Sequence, residues 1–293
     1  MSTIAFFGLG AMGEPMAEQL LKAGHEVHTS VHHSREAADR LAAAYGLKIF
    51  DTAEAAASGA DYVITMLPDD PEVKAFLIND AFAASLKKGC CIIDMTSCTT
   101  EAICAVEAYY APKGIYVVDA PVSGGVRGAK AGSLTIFGSG TPEAMKLAKP
   151  LFEVMGKEDA IYDLGKCGTG KAFKNLNNML YLINLSAVAE ARHIAVENGL
   201  DLTMLREVIS KSSGNSACVN FFDRPEVVNR VYQPAGFSHG LARKDVGNAI
   251  KLAKKTPTPI AHLVYDMMLR NGPKHDKDSV LAVREMMAID SED

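Results

Sequence analysis

The spacing of hydrophobic and polar positions changes once along the chain. Up to about residue 165, short β-branched or apolar runs alternate with stretches whose apolar residues recur at helical intervals, the pattern of a parallel sheet covered by helices. Strands are expected over residues 3–7, 26–31, 62–67, 91–94, 116–119, 134–137 and 161–164. Helices are expected between them, as over 12–22, 35–45 and 100–111, with Ser34 and Thr99 as capping residues. After Gly170 the strand pattern stops, and helical periodicity runs over 171–198, 202–210, 240–254, 259–269 and 279–287. The first of these segments is a rod of roughly 40 Å at ~1.5 Å per residue. The expectation is an α/β domain over residues 1–165 and an all-α domain over 166–293, joined by one long helix.

Length agrees, since 293 residues suit two domains at roughly 150 residues each. With 48% hydrophobic and 22% charged residues the chain has enough apolar surface for packed cores, so disorder is not expected. The 30 basic and 35 acidic side chains leave a net charge of −5, which disfavours a nucleic-acid binder. No export signal precedes the first strand. The most apolar later stretch, 179–189, contains Asn184, is short of the ~20 residues a bilayer requires, and reads as a buried helix. Six cysteines without a CxxC pair point to reduced thiols in the cytoplasm rather than a disulfide scaffold or a metal site. Glu190 and His193 have the spacing of a bundle di-iron ligand pair, but no second Glu-x-x-His accompanies them. A G-x-S-x-G nucleophile elbow is also missing.

The first chemical signal is Gly8-Leu9-Gly10-Ala11-Met12-Gly13, a GxGxxG between the first strand and the first helix. In that context the glycines allow a tight turn, close approach of a pyrophosphate and close helix–strand packing, and the helix N-terminus offers N–H groups to the anion. A carboxylate about 20 residues further on would pair with the ribose hydroxyls of NAD. Here the second strand leads instead into His32, His33, Ser34 and Arg35, groups suited to a 2′-phosphate. NADP is therefore the favoured cofactor, with NAD the alternative.

Residues 165–171 match GxxxxGK, the body of a nucleoside-triphosphate loop, but Ala172 stands where a magnesium-binding hydroxyl is needed. The same segment places Lys174 and Asn178 four apart, on one face of a helix. By spacing alone, that pair is either a solvated stripe or a site facing a cleft. Asp119-Ala120-Pro121-Val122-Ser123-Gly124-Gly125 lies just beyond the carboxyl end of a strand, where open α/β sheets bind ligands. Ser123 and the exposed backbone of Gly124 and Gly125 would suit a carboxylate, although a plain turn reads the same way.

Taken together, these segments resemble the β-hydroxyacid dehydrogenase family, the group containing 3-hydroxyisobutyrate dehydrogenase and tartronate semialdehyde (2-hydroxy-3-oxopropionate) reductase. The resemblance rests on residues 8–16, Met66-Leu67-Pro68, Asp94-Met95-Thr96-Ser97, residues 119–125 and 168–178, and Lys244-Asp245, and it spans most of the chain. It implies a Rossmann-type N-terminal domain and a helical C-terminal domain that builds a homodimer or homotetramer. It further implies that Lys174 is catalytic, that Asn178 positions substrate, and that Ser123, Gly124 and Gly125 bind a carboxylate. Thr96, Met66, Leu67 and Pro68 would line the nicotinamide or its ribose, with Lys244 beside cofactor and substrate.

The implied reaction interconverts a small hydroxy acid and its semialdehyde or keto form. Lysine serves both directions, its ammonium donating in reduction and its amine accepting in oxidation, once its pKa is lowered. Lys171 and Lys244 are the expected sources of part of that shift, by like-charge repulsion. Two other readings use the same scaffold: a catalytically idle dinucleotide-binding module and an imine-reducing variant. Both are disfavoured, since Lys174, Ser123 and Asn178 stand together. The substrate's side chain should meet residues 212–216 and Phe237, whose polarity suggests a polar substrate.

Overall fold

A computed structural model describes residues 1–233 and 236–282. The chain divides into two compact units, the first Met1–Lys174 and the second starting at Asn175.

The first unit carries nine strands: β1 (Thr3–Phe7), β2 (Glu26–Ser30), β3 (Lys48–Phe50), β4 (Tyr62–Thr65), β5 (Cys91–Asp94), β6 (Tyr116–Asp119), β7 (Val122–Ser123), β8 (Leu134–Gly140) and β9 (Gly156–Asp163). Their order in the sheet is β3-β2-β1-β4-β5-β6-β8-β7, with β9 paired to β8. The first six run parallel, in the arrangement of a dinucleotide-binding fold whose order reverses between β1 and β4. The sheet then departs from the expected parallel pattern, because β8 lies antiparallel to both β6 and β7.

Helices α1 (Gly13–Lys22), α2 (Glu36–Tyr45), α3 (Ala53–Ala57), α4 (Asp70–Leu77), α5 (Asp80–Ser85), α6 (Thr100–Tyr110), α7 (Gly125–Ala131) and α8 (Pro142–Met155) complete this unit. Side-chain alternation along β1 shows how they cover the sheet. Ile4 and Phe6 join one core with Met16, Leu20 and Phe152, whereas Ala5 and Phe7 join another with Leu77, Phe82 and Tyr110. Thr99 caps α6 by accepting from the Ala102 N–H, as its position suggests. Ser34 makes no such contact, and Arg35 is the N-cap of α2.

The long helix α9 (Thr169–Glu197) starts in the first unit and has 29 residues. It is followed by α10 (Leu202–Ser210), α11 (Pro225–Val228), α12 (His239–Leu252) and α13 (Pro259–His275). Leu182, Leu185 and Ala189 of α9 pack with Val246 of α12 and Val264 and Met268 of α13, forming the core of the second unit. Of the helix expected over 279–287, only the short 3-10 turn Val280–Ala282 falls in the described residues. The acidic segment 290–293 lies outside them.

Candidate active site

The glycine turn follows β1 and leads into α1. A Cβ on Gly8, at φ +99°, would sit 2.2 Å from the Met66 carbonyl oxygen, and one on Gly13 would sit 1.9 Å from that of Gly8. The fold itself demands glycine at both positions. At Gly10 an added Cβ would meet no atom within 4 Å. Packing does not explain that glycine, whereas the close approach of a pyrophosphate to the N-terminus of α1 does. Leu9 and Met12 pack partly against the core, and Ala11 is exposed. Glu14 would repel an anion at this helix terminus, but Arg40 holds its carboxylate at 2.8 and 2.9 Å through two donors.

His32, His33, Ser34 and Arg35 are exposed beyond the end of β2. The two imidazoles meet edge to face with centroids 4.1 Å apart, and Arg35 Nε donates to Asp39 at 3.0 Å. None of these four residues is itself a carboxylate, so they fit a 2′-phosphate once Arg35 exchanges Asp39 for it, and Gly10 with the α1 N-terminus fits the dinucleotide's pyrophosphate.

At the carboxyl ends of the neighbouring strands, buried hydrogen bonds join the other motifs. Met66 N donates to Phe7 O at 2.9 Å, and Leu67 N donates to the buried Thr96 hydroxyl at 2.9 Å, with Pro68 following. Asp94 closes β5 and accepts from Thr65 Oγ1 at 2.7 Å. Asp119 closes β6, and its Oδ2 accepts from Ser139 Oγ at 2.9 Å and from the Gly168 and Lys171 N–H groups at 3.1 and 3.0 Å. A carboxylate from the sheet thus serves the positive end of α9. After β6 the chain makes β7, which ends at Ser123, and turns through Gly124 and Gly125 at φ +128° and +61°.

Lys171 lies among these acids, fully buried, with its Nζ 3.0 Å from Asp94 Oδ2, 3.0 Å from Asp119 Oδ1 and 2.8 Å from Asp94 O. Burial opposes its charge, yet the two carboxylates outweigh that effect and hold the ammonium well above the ordinary lysine range. This corrects the expectation that Lys171 supplies like-charge repulsion, since its charge is enclosed by two opposite ones. It also disposes of the nucleoside-triphosphate resemblance, because the lysine of that segment is committed to the protein core. Gly170 has a packing role of its own, for a Cβ there would lie 2.2 Å from Phe137 O. One turn after Lys171, Lys174 is largely buried.

In the second unit, Asn178 is buried, and its Nδ2 donates to Asp245 Oδ2 at 2.6 Å. Lys244 Nζ lies 3.4 Å from Asp245 Oδ1, so this second expected source of repulsion is also paired with a carboxylate. Residues 212–215 are exposed, Ser212 bonds to Val208 O, and Ser216 caps the following turn. Phe237 packs partly against the core.

Three residues with no role expected from sequence therefore hold these groups, Asp94 and Asp119 in the first unit and Asp245 in the second. Two of them end buried apolar strands, a position where an unpaired carboxylate would be costly, and that is the signal which could have revealed them. Among the described residues no group of three or more His, Cys, Asp or Glu could hold a metal ion. Burial pushes the Cys98 thiol well up, so it is no nucleophile. No helix among the described residues is long and apolar enough to cross a membrane.

Residues 3–169 match the family profile described as the NAD binding domain of 6-phosphogluconate dehydrogenase. Residues 168–286 match that described as NAD-binding of NADP-dependent 3-hydroxyisobutyrate dehydrogenase. The chain belongs to the β-hydroxyacid dehydrogenase family. Members similar to it include the NAD-dependent L-serine dehydrogenase of Pseudomonas aeruginosa, 35% identical over 93% of this chain and 94% of that one. The 3-hydroxyisobutyrate dehydrogenase of the same organism is 36% identical over 91% of each chain. The 3-hydroxyisobutyrate dehydrogenase of Mycobacterium tuberculosis, solved with L-serine, has a TM-score of 0.84 and 31% identity, covering 98% of this chain and 99% of that one. As a β-hydroxyacid dehydrogenase, the protein is an NAD(P)-dependent oxidoreductase of β-hydroxy acids, and the idle and imine-reducing alternatives are not favoured.

Proposed function

We propose that the protein interconverts a small β-hydroxy acid and its semialdehyde or keto form with Lys174 as general acid and base. The supporting observation is the fastening of the first turn of α9 to the carboxyl ends of β5 and β6. The next turn, which bears Lys174, then lies beside the edge of the sheet where α/β folds take ligands. Bound NAD(P) supplies the hydride acceptor or donor. In oxidation the Lys174 amine takes the substrate's hydroxyl proton, and in reduction its ammonium donates to the oxygen as negative charge develops. Lys171 is unsuited to this work, since both neighbouring carboxylates hold its proton.

In this reading Ser123, Gly124 and Gly125 take the substrate carboxylate. Asn178, its amide oriented by Asp245, positions the substrate, and Lys244 lies beside it. Gly8, Leu9, Gly10, Ala11, Met12 and Gly13 receive the pyrophosphate, while Met66, Leu67, Pro68 and Thr96 line the nicotinamide and its ribose. His32, His33, Ser34 and Arg35 favour NADP through the 2′-phosphate, a preference of about tenfold for one charge-assisted contact worth about 1.4 kcal/mol.

L-serine and 3-hydroxyisobutyrate head the substrate panel, followed by tartronate semialdehyde, succinic semialdehyde and threonate-like acids. Lys174→Ala should lower kcat by roughly 10²–10⁴-fold while dinucleotide affinity holds. A variant that kept a substantial fraction of kcat would remove Lys174 from the mechanism. Assembly as a homodimer or homotetramer through the helical unit is supported by exposed Leu176 and Leu180 on α9, Met204 and Val208 on α10, and Ile260 and Leu263 on α13. Sedimentation of a monomer at micromolar concentration would refute it. The free thiols support a cytoplasmic location.

A further inference from the structure

We propose that Lys171 is a positioning residue for the reaction: its ammonium draws Asp94 and Asp119 together and so sets the register of Lys174 against the nicotinamide-lining loops. The inference rests on the assignment of Lys174 above. Three links carry it. The ammonium joins the ends of β5 and β6 to the first turn of α9 through contacts of 2.8 to 3.0 Å, with no exposure to solvent. Asp94 also accepts from Thr65 and from Thr96 N, and Thr96 receives the Leu67 N–H, so the same carboxylate governs the 66–68 loop. Lys174 follows one turn later on the helix that Lys171 anchors.

A lysine spans this gap as a glutamine cannot, being longer and offering three donors to three acceptors. The single variant Lys171→Gln leaves two buried carboxylates facing no cation, so a loss of activity in it would not separate misfolding from misplacement. The double variant Lys171→Gln/Asp94→Asn avoids that. It keeps the net charge of the cluster at −1, as in the native triad of one lysine and two aspartates, and replaces the ion pair with a neutral amide pair.

The experiment compares Tm, NADP+ affinity by fluorescence titration, and kcat and KM with L-serine or 3-hydroxyisobutyrate, whichever the native enzyme turns over faster. For the double variant we expect Tm and NADP+ affinity close to native, KM little changed, and kcat lower by roughly 10²-fold, the loss that a displacement of about 1 Å causes. A double variant with native kcat would overturn the proposal and reduce Lys171 to charge balance. Lys174→Ala is measured in parallel. If it retains turnover, the assignment of Lys174 falls; if it is inactive while the double variant is fully active, only the positioning role falls.

Discussion

Replacing Lys171 with methionine tests how much the buried ion triad contributes to the first unit. Methionine nearly matches the lysine stem in length, so packing changes little and the lost charge dominates. The native ammonium has three oxygen partners within 3.0 Å and no exposure. Removing one member of a buried ion pair costs about 3–5 kcal/mol, because the remaining charge is stranded in a poorly solvated place. For a unit of this size, each kcal/mol shifts Tm by about 2–4 °C, so the expected loss is about 6–20 °C. The pH dependence gives a second check. In the variant the stranded carboxylates bind protons more readily in the folded than in the unfolded state, so their folded pKa values are raised. Stability is then recovered as pH falls through those raised values, and the gap to the native protein should narrow from about pH 8 to about pH 5. Differential scanning calorimetry at the two pH values measures both effects. A Tm loss under about 2 °C, or a gap that widens in acid, would refute the reasoning.

Other outcomes follow from single observations. Gly10→Ala should leave Tm unchanged and weaken dinucleotide binding, whereas Gly13→Ala should lower Tm, because only the second added Cβ collides with the backbone; equal effects on Tm would contradict the assigned roles. Asp245→Ala removes a charge-assisted hydrogen bond from Asn178, worth about 1.5–3 kcal/mol, and should raise KM for the hydroxy acid by roughly tenfold or more. Burial, with the Arg243 charge adding to it, holds the His239 pKa below its ordinary value despite Asp276 at 3.7 Å. Below about pH 6.5 the unfolded chain takes up a proton that folded His239 does not. Urea midpoints of the helical unit should therefore fall in that direction, and His239→Gln should flatten the trend.

Much of the scaffold can be read from the chain alone. Buried β-strands such as Cys-Ile-Ile-Asp are near-continuous apolar runs, and α10 is bounded as its periodicity suggests. What escapes notice is short or rich in glycine. The edge strand β3 has three residues, β7 has two, and β8 extends through Gly138, Ser139 and Gly140, which look like a loop. Those glycines have a physical purpose: a Cβ on Gly138 would lie 2.9 Å from Tyr162 O, and one on Gly140 would lie 3.1 Å from Val117 O. Between them, Ser139 reaches Asp119. Lys171 illustrates a different limit. Beside Lys174 it reads as a like charge acting on its neighbour, and only tertiary structure brings it to acids 52 and 77 positions away. The pairing of Asn178 with Asp245 has the same origin, joining residues 67 apart.

The separation of those acids from Lys171 bears on the order in which the molecule can be assembled. During synthesis, both strand-end aspartates emerge well before the residue that neutralises them, so the nascent sheet carries two acidic groups in its interior until translation passes position 171. A fragment cut at residue 165 would keep that defect permanently and should be a poor expression target. A fragment that extends past the first turns of α9 brings its own counter-ion and the N–H donors that Asp119 requires. Autonomy of the nucleotide-binding half is thus conferred by a few residues that belong, by secondary structure, to the helix that follows it.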